Sequence, residues 1–265
     1  MDHDSGVADI HGDRLHYQVA GSGPPVLLVM GIGGHLDMWQ PLIEQLDGFE
    51  TIAFDLPGSG ASPVPRLPLR MWQLARLVNG LVTELGYRQV DALGYSFGGM
   101  VVQKLAQQHS SRVRRVVLAA TTPGVIAVPP PPRNLARMLT PRRYYSKSYF
   151  MDVAPSLLGG RMARDPDELA ANFDARSRHP PTYAGYLGQV YSVWGWSSLP
   201  WLWRLRQPTL VMAGTDDRLV RLSNAHLLAG VIPNATLHIV EGGGHVFLLD
   251  QPGDVAPVIR DFLLA

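Results

Sequence analysis

The chain has 265 residues, 46% of them hydrophobic, with a formal net charge of +1, which suits one large α/β domain with an insertion and leaves no overall field for nucleic acid. Cysteine is absent, so a disulfide framework, thiol catalysis and cysteine-ligated metal are excluded. The acidic first residues lack the layout of a secretory leader and no apolar run reaches membrane-spanning length, so a soluble cytoplasmic protein is expected.

In chain order, Leu15, Tyr17 and Val19 alternate with polar residues and predict a strand near a sheet edge over 14–19, turned by the Gly/Pro-rich stretch 20–25. Residues 26–30 are continuously apolar, as in a parallel strand covered on both faces. This strand exits at Gly31-Ile32-Gly33-Gly34 into a helical stretch over 36–46. A dinucleotide or phosphate loop is set aside there, because neither a G-x-G-x-x-G fingerprint nor a Walker lysine follows. Residues 51–54 predict the next strand, and Asp55 is expected to brace the small-residue loop 55–62 rather than to react. A helix over 70–85 leads to the apolar run 90–95, and a further strand over 113–119 follows. Strands and helices alternate, which implies a parallel sheet with helices on both faces.

At the end of the 90–95 run, Gly94-Tyr95-Ser96-Phe97-Gly98 fits G-x-S-x-G, a strand–turn–helix elbow that holds a serine out at the carboxyl edge of a sheet. The helix behind it opens with unpaired N–H groups and a positive dipole end. A developing oxyanion would be stabilised by the amide of Phe97 and by that of Ile32 in the earlier glycine-rich exit.

The alternation breaks at Pro123. Residues 123–207 hold 11 Arg/Lys against 5 Asp/Glu, with 4 of the 6 Trp and 6 of the 9 Tyr. They are read as a helical cap insertion between core segments 1–122 and 208–265. Trp194 and Trp196 are expected at a substrate pocket, with packing onto the sheet as the alternative, and His35 is a further pocket candidate. Arg142-Arg143 and Arg176-x-Arg178 are expected to be solvated, with contact to an anionic group as the alternative.

The core pattern returns with a strand over 209–213 that exits at Gly214-Thr215-Asp216-Asp217, a helix over 223–230, a strand over 235–240, the loop Gly242-Gly243-Gly244-His245 and a final helix from 252. Three strand exits therefore carry Ser96, an aspartate and His245, in that order. Serine needs a base to take its proton, and the base needs a carboxylate to hold its tautomer. The strand over 113–119 exits at Ala120-Thr121-Thr122 and offers no acid. Of the remaining pair, Asp217 is favoured, since the fourth residue of Gly-x-x-Asp falls over the sheet. No spacing suggests a metal site, and no cofactor is expected.

The whole chain resembles the α/β-hydrolases, and within them the intracellular medium-chain-length polyhydroxyalkanoate depolymerases. The resemblance rests on Met30 to Gly34, the Ser96 elbow, Thr140-Pro141-Arg142-Arg143-Tyr144, Ala154-Pro155-Ser156-Leu157-Leu158-Gly159-Gly160, residues 164–169 and 207–214, and Gly244-His245-Val246-Phe247-Leu248. It implies cleavage of esters between 3-hydroxyacyl units through an acyl-enzyme, without a cofactor, and leaves a granule surface open as a partner. Two departures are noted: Trp is expected where Phe97 stands, and Met30 occupies a place that many relatives fill with His or Asn. A general carboxylesterase, lactonase or acyl-transfer enzyme is the alternative of the same class, and a low-turnover ligand receptor that of another class. A dehalogenase would need an aspartate at position 96.

Overall fold

The computed structural model describes residues 3–265. Eight strands form one sheet: β1 (His3–Ile10), β2 (Asp13–Gly21), β3 (Pro25–Val29), β4 (Glu50–Phe54), β5 (Val90–Tyr95), β6 (Val113–Ala119), β7 (Thr209–Gly214) and β8 (Ala235–Val240), in the order β1-β2-β4-β3-β5-β6-β7-β8. Strands β1 and β2 are antiparallel to their neighbours, and all pairs from β4 to β8 are parallel. Strand β1 has no counterpart in the sequence reading. Its polar edge sequence keeps Val7 exposed and buries only Ala8 and Ile10 among its apolar residues, so no apolar run marks it. A two-residue turn joins it to β2 with both His11 and Gly12 at positive φ, which matches the twist of a hairpin.

The helices are α1 (Gln40–Ile43), α2 (Met71–Glu84), α3 (Phe97–Gln108), α4 (Pro132–Met138), α5 (Lys147–Leu158), α6 (Pro166–Arg176), α7 (Tyr183–Val193), α8 (Leu222–Val231), α9 (Phe247–Asp250) and α10 (Pro252–Leu264). The helix expected over 36–46 is broken into a 3-10 turn over Leu36–Trp39 and the single turn α1. Pro41 lacks the N–H that a continuous helix would need there.

Side chains alternate across each strand. Leu27 and Val29 of β3 join the core formed with α2, α3 and α8, while Val26 and Leu28, with Met30, join the core on the opposite face. The second core also takes in Phe150, Val153, Leu157, Leu158, Leu169 and Phe173 from α5 and α6. These helices therefore cover the carboxyl edge of the sheet as a continuation of its core. The starts of α5, α6 and α7 are capped by side chains: Ser146 accepts from the Tyr149 N–H, Asp165 from those of Asp167 and Glu168, and Thr182 from that of Gly185.

Candidate active site

Ser96 sits between β5 and α3 at φ 53° and ψ −117°, a conformation that a non-glycine residue rarely adopts. Its N–H donates to the Ala119 carbonyl at 2.9 Å, and the Thr121 hydroxyl donates to its carbonyl at 2.6 Å. The turn is that sharp because α3 lies against β3: a Cβ on Gly98 would come within 1.9 Å of the Val29 carbonyl oxygen. Local sequence thus permits the turn, and neighbouring strand ends hold it.

His245 Nε2 lies 3.1 Å from Ser96 Oγ, and its Nδ1 lies 2.8 Å from Asp217 Oδ2. A carboxylate only accepts, so this bond places the imidazole proton on Nδ1 and leaves Nε2 free to accept from the serine hydroxyl. The other Asp217 oxygen accepts from the N–H groups of Leu219 and Val220, each at 2.8 Å, so the buried carboxylate is fully hydrogen-bonded. Asp216 points the other way. It accepts from the Gly160 N–H at 2.9 Å and meets Arg218 and Arg164 at the surface. Partial burial would raise its pKa, but the Gly160 amide and these cations outweigh that and hold it below the usual range.

The loop after β3 is tied from several directions. Asp55 accepts from the Leu36 N–H at 2.7 Å and from the Ala61 N–H at 2.9 Å, the bracing expected of it. Tyr144 donates its hydroxyl to the Ile32 carbonyl at 2.5 Å. Gln189 of α7 accepts from the Gly33 N–H at 2.8 Å and donates to Pro57 and Ser59. The Ile32 N–H has no acceptor among the described residues. Phe97 opens α3, where first-turn N–H groups lack an intrahelical acceptor.

A cavity opens at Ser96 and His245, bounded by Met30, Gly31, Ile32 and Tyr95 of the sheet edge and by Phe150, Leu157 and Leu158 of α5. The pocket residues expected from sequence are elsewhere. Trp194 is 76% exposed at the end of α7, where its carbonyl accepts from Arg70. Trp196 meets Trp201 edge-on and packs on the core beside α2, α3 and α8, away from the cavity. His35 is buried, but its Nε2 faces the Ala175 carbonyl at 3.1 Å and its ring meets His179, so it pins the loop to α6 instead of lining the cavity. Burial lowers its pKa. The arginines divide. Arg142 and Arg178 are exposed as expected, but Arg143 and Arg176 are buried and line the cavity.

Tyr144, Gln189 and Leu158 carry no role in the expectations drawn from sequence, whereas Arg143 and Arg176 are named there as solvated, with contact to an anionic group as the alternative. Tyr144, Arg143 and Leu158 fall inside the segments that carried the family resemblance and Arg176 in the basic pair Arg176-x-Arg178, while Gln189 had no signal. Among the described residues, no cluster of three or more His, Asp or Glu could hold a metal, and no helix is long and apolar enough to cross a membrane.

The fold and the serine elbow define a hydrolase, and the chain belongs to the α/β-hydrolase fold family, whose model matches residues 24–252. It is 44% identical over 240 residues to the poly(3-hydroxyalkanoate) depolymerase of Ectopseudomonas oleovorans, covering 90% of this chain and 84% of that one. It is 28% identical over 254 residues to the pimeloyl-[acyl-carrier protein] methyl ester esterase of Methylococcus capsulatus, covering 94% and 98%. The enol-lactonase structure from Burkholderia xenovorans superposes with a TM-score of 0.85 at 24% identity, covering 98% of this chain and all of that one, a likeness of fold.

Proposed function

We propose that the protein cleaves esters between 3-hydroxyalkanoate units, using Ser96 as nucleophile, His245 as base and Asp217 as the group that orients it. The hydrogen-bond chain from Asp217 through His245 to Ser96 carries the chemistry, and the 44% identity to a poly(3-hydroxyalkanoate) depolymerase carries the substrate. His245 takes the serine proton as Oγ attacks the ester carbonyl. The oxyanion is held by the Ile32 and Phe97 N–H groups, donors that cost no reorganisation when charge develops. His245 then protonates the departing alkoxide, and water, activated by the same imidazole, releases the acid from the acyl-enzyme. No cofactor enters this sequence.

In this reading residues 123–207 form a cap over core segments 1–122 and 208–265, and the enzyme works in the cytoplasm, on soluble oligomers or at a granule surface. The apolar cavity walls support acyl chains of medium length. The deciding experiment measures turnover of 3-hydroxyoctanoyl dimers and trimers beside aryl esters from acetyl to dodecanoyl, with fluorophosphonate labelling of Ser96 followed by intact mass. Cleavage of the dimers is expected. Uncut dimers beside rapid acetyl-ester turnover would instead make it a general carboxylesterase, and labelling without turnover a receptor.

A further inference from the structure

Two guanidinium groups share the cavity with Ser96 and His245, and neither has a counter-ion. Arg143 and Arg176 are each only 5% exposed, and both line the cavity. Among the described residues, no carboxylate lies within ion-pairing distance of either. Their partners are neutral. Arg143 donates through Nη1 to the Tyr186 hydroxyl at 2.8 Å and to the Thr140 carbonyl at 3.2 Å. Arg176 donates through Nε to Asn172 Oδ1 at 2.9 Å and through Nη2 to the same oxygen. The Nε and Nη2 groups of Arg143 and the Nη1 group of Arg176 enter none of these bonds.

Aromatic faces offset part of the charge. Arg143 sits 4.8 Å from the Tyr144 ring centroid, and Arg176 sits 4.7 Å from that of Phe150. Arg176 also occupies the last turn of α6, where the helix dipole favours a cation. The phenols beside them supply no negative charge, because burial raises the pKa of both Tyr186 and Tyr95. Burial, with the neighbouring Arg143, lowers the pKa of Arg176, whereas for Arg143 burial is outweighed by the contacts with Tyr186 and Tyr144, which favour the charged form. Two buried like charges without an anion are costly, and a bound anion would remove that cost. Apart from Tyr95 and Tyr144 the rest of the lining is apolar, with Met30, Met138, Phe150, Leu157, Leu158 and Leu219. Such a site suits an apolar chain with one anionic head.

We infer that Arg143 and Arg176 form a carboxylate subsite within the Ser96 cavity, which takes the free-acid end of the ester substrate. The inference rests on the ester-hydrolase reading. A linear 3-hydroxyacyl chain has one carboxylate, on the unit whose 3-oxygen is the leaving group when the terminal ester is cut. The bond between the penultimate carbonyl carbon and that oxygen breaks as the Ser96 ester forms. His245 supplies the proton to the oxygen, and a 3-hydroxy acid leaves with its carboxylate still unreacted. Chains are therefore shortened from the carboxyl end, one unit at a time.

The test compares the 3-hydroxyoctanoyl dimer as free acid and as its methyl ester. In the wild type, kcat/KM is expected to favour the free acid by ~10–100-fold, since charge-assisted bonds to a buried guanidinium are strong. That ratio should collapse towards unity in Arg176→Gln and Arg143→Gln, and recover in part in Arg176→Lys, with circular dichroism melts reporting on folding. Equal rates for the two dimers in the wild type, or an undiminished ratio in both glutamine variants, would overturn the subsite. If no dimer is cut, the depolymerase reading fails, and calorimetric titration with 3-hydroxyoctanoate and 3-hydroxyoctanamide decides the subsite alone. Binding of the acid at least tenfold tighter than the amide sustains it, and equal binding refutes it.

Discussion

The backbone N–H of His245 donates to the carbonyl of Leu158 at 2.5 Å. The proposed base is thus held by the last residue of α5, a helix outside the strand order that supplies Ser96, Asp217 and His245. Gly159 and Gly160 follow at φ 62° and 69° and let the helix end lie backbone-to-backbone on the Asp216 and Gly243–Gly244 loops. The covering helices contribute to site geometry as well as to cavity walls.

Gly160→Ala tests this contact. Its Cβ would fall 2.2 Å from the Gly244 nitrogen, where only backbone can yield, and its φ is unfavourable for any side chain. A displacement of the His245 loop by about 1 Å is expected to lower kcat by ~10–100-fold with a smaller change in KM. Steady-state kinetics on an aryl octanoate beside a thermal melt separates this loss from general unfolding.

The two adjacent aspartates should differ sharply. Asp217→Asn removes the acceptor that fixes the His245 proton on Nδ1, and kcat should fall by roughly 10⁴. Asp216→Asn disturbs a loop contact, and its effect should stay within about tenfold. Equal losses would mean that Asp216 has a part in the chemistry that its bonds do not suggest.

Asp250, at the end of α9, gives a pH-dependent prediction. Both its oxygens are cut off from solvent and lack a hydrogen-bond partner. Burial, together with Glu168, raises its pKa despite the nearby Met162 amide and Arg161. A carboxyl whose folded pKa lies above its unfolded value stabilises the fold when protonated, and this contribution is lost as pH rises through the folded value. Asp250→Asn should therefore raise the Tm at pH 8, by about 2–4 °C for a change on the order of 1 kcal/mol. The gain should shrink as pH falls towards the unfolded carboxylate value of about 3.9. A gain that is constant with pH would show that charge is not its cause.

Acyl-chain preference should depend on α5 and not on the tryptophans. Each buried methylene contributes about 0.8 kcal/mol, roughly fourfold in kcat/KM, until the cavity is full. Phe150→Ala or Leu157→Ala should flatten or shift the rise from acetyl to octanoyl esters, whereas Trp194→Ala should leave it in place. The chain-length series on the three variants reads this directly.

Most of the sheet and all three polar groups of the proposed relay were legible locally. Short apolar runs ended by glycine mark parallel strands and their exits, and Ser96, Asp217 and His245 each follow such an exit. Strand β1 was not legible, because an edge strand needs little apolar sequence when its partner supplies the burial. Trp194 and Trp196 misled the reading because an aromatic side chain gives no sign of which surface it will cover.

The sequence by itself therefore determined the fold class, the elbow and the order of the relay residues, since backbone conformation at a glycine-rich strand exit is a matter of a few neighbouring residues. Tertiary structure alone decided that Asp216 braces the Gly160 amide beside the site and that Leu158, Tyr144 and Gln189 hold the loops around Ser96. It also decided that Arg143 and Arg176 are buried at the cavity while Arg142 and Arg178 remain in solvent. Identical side chains one or two residues apart differ here because burial and pairing depend on which helices pack across the sheet edge, a relation between segments far apart in the chain.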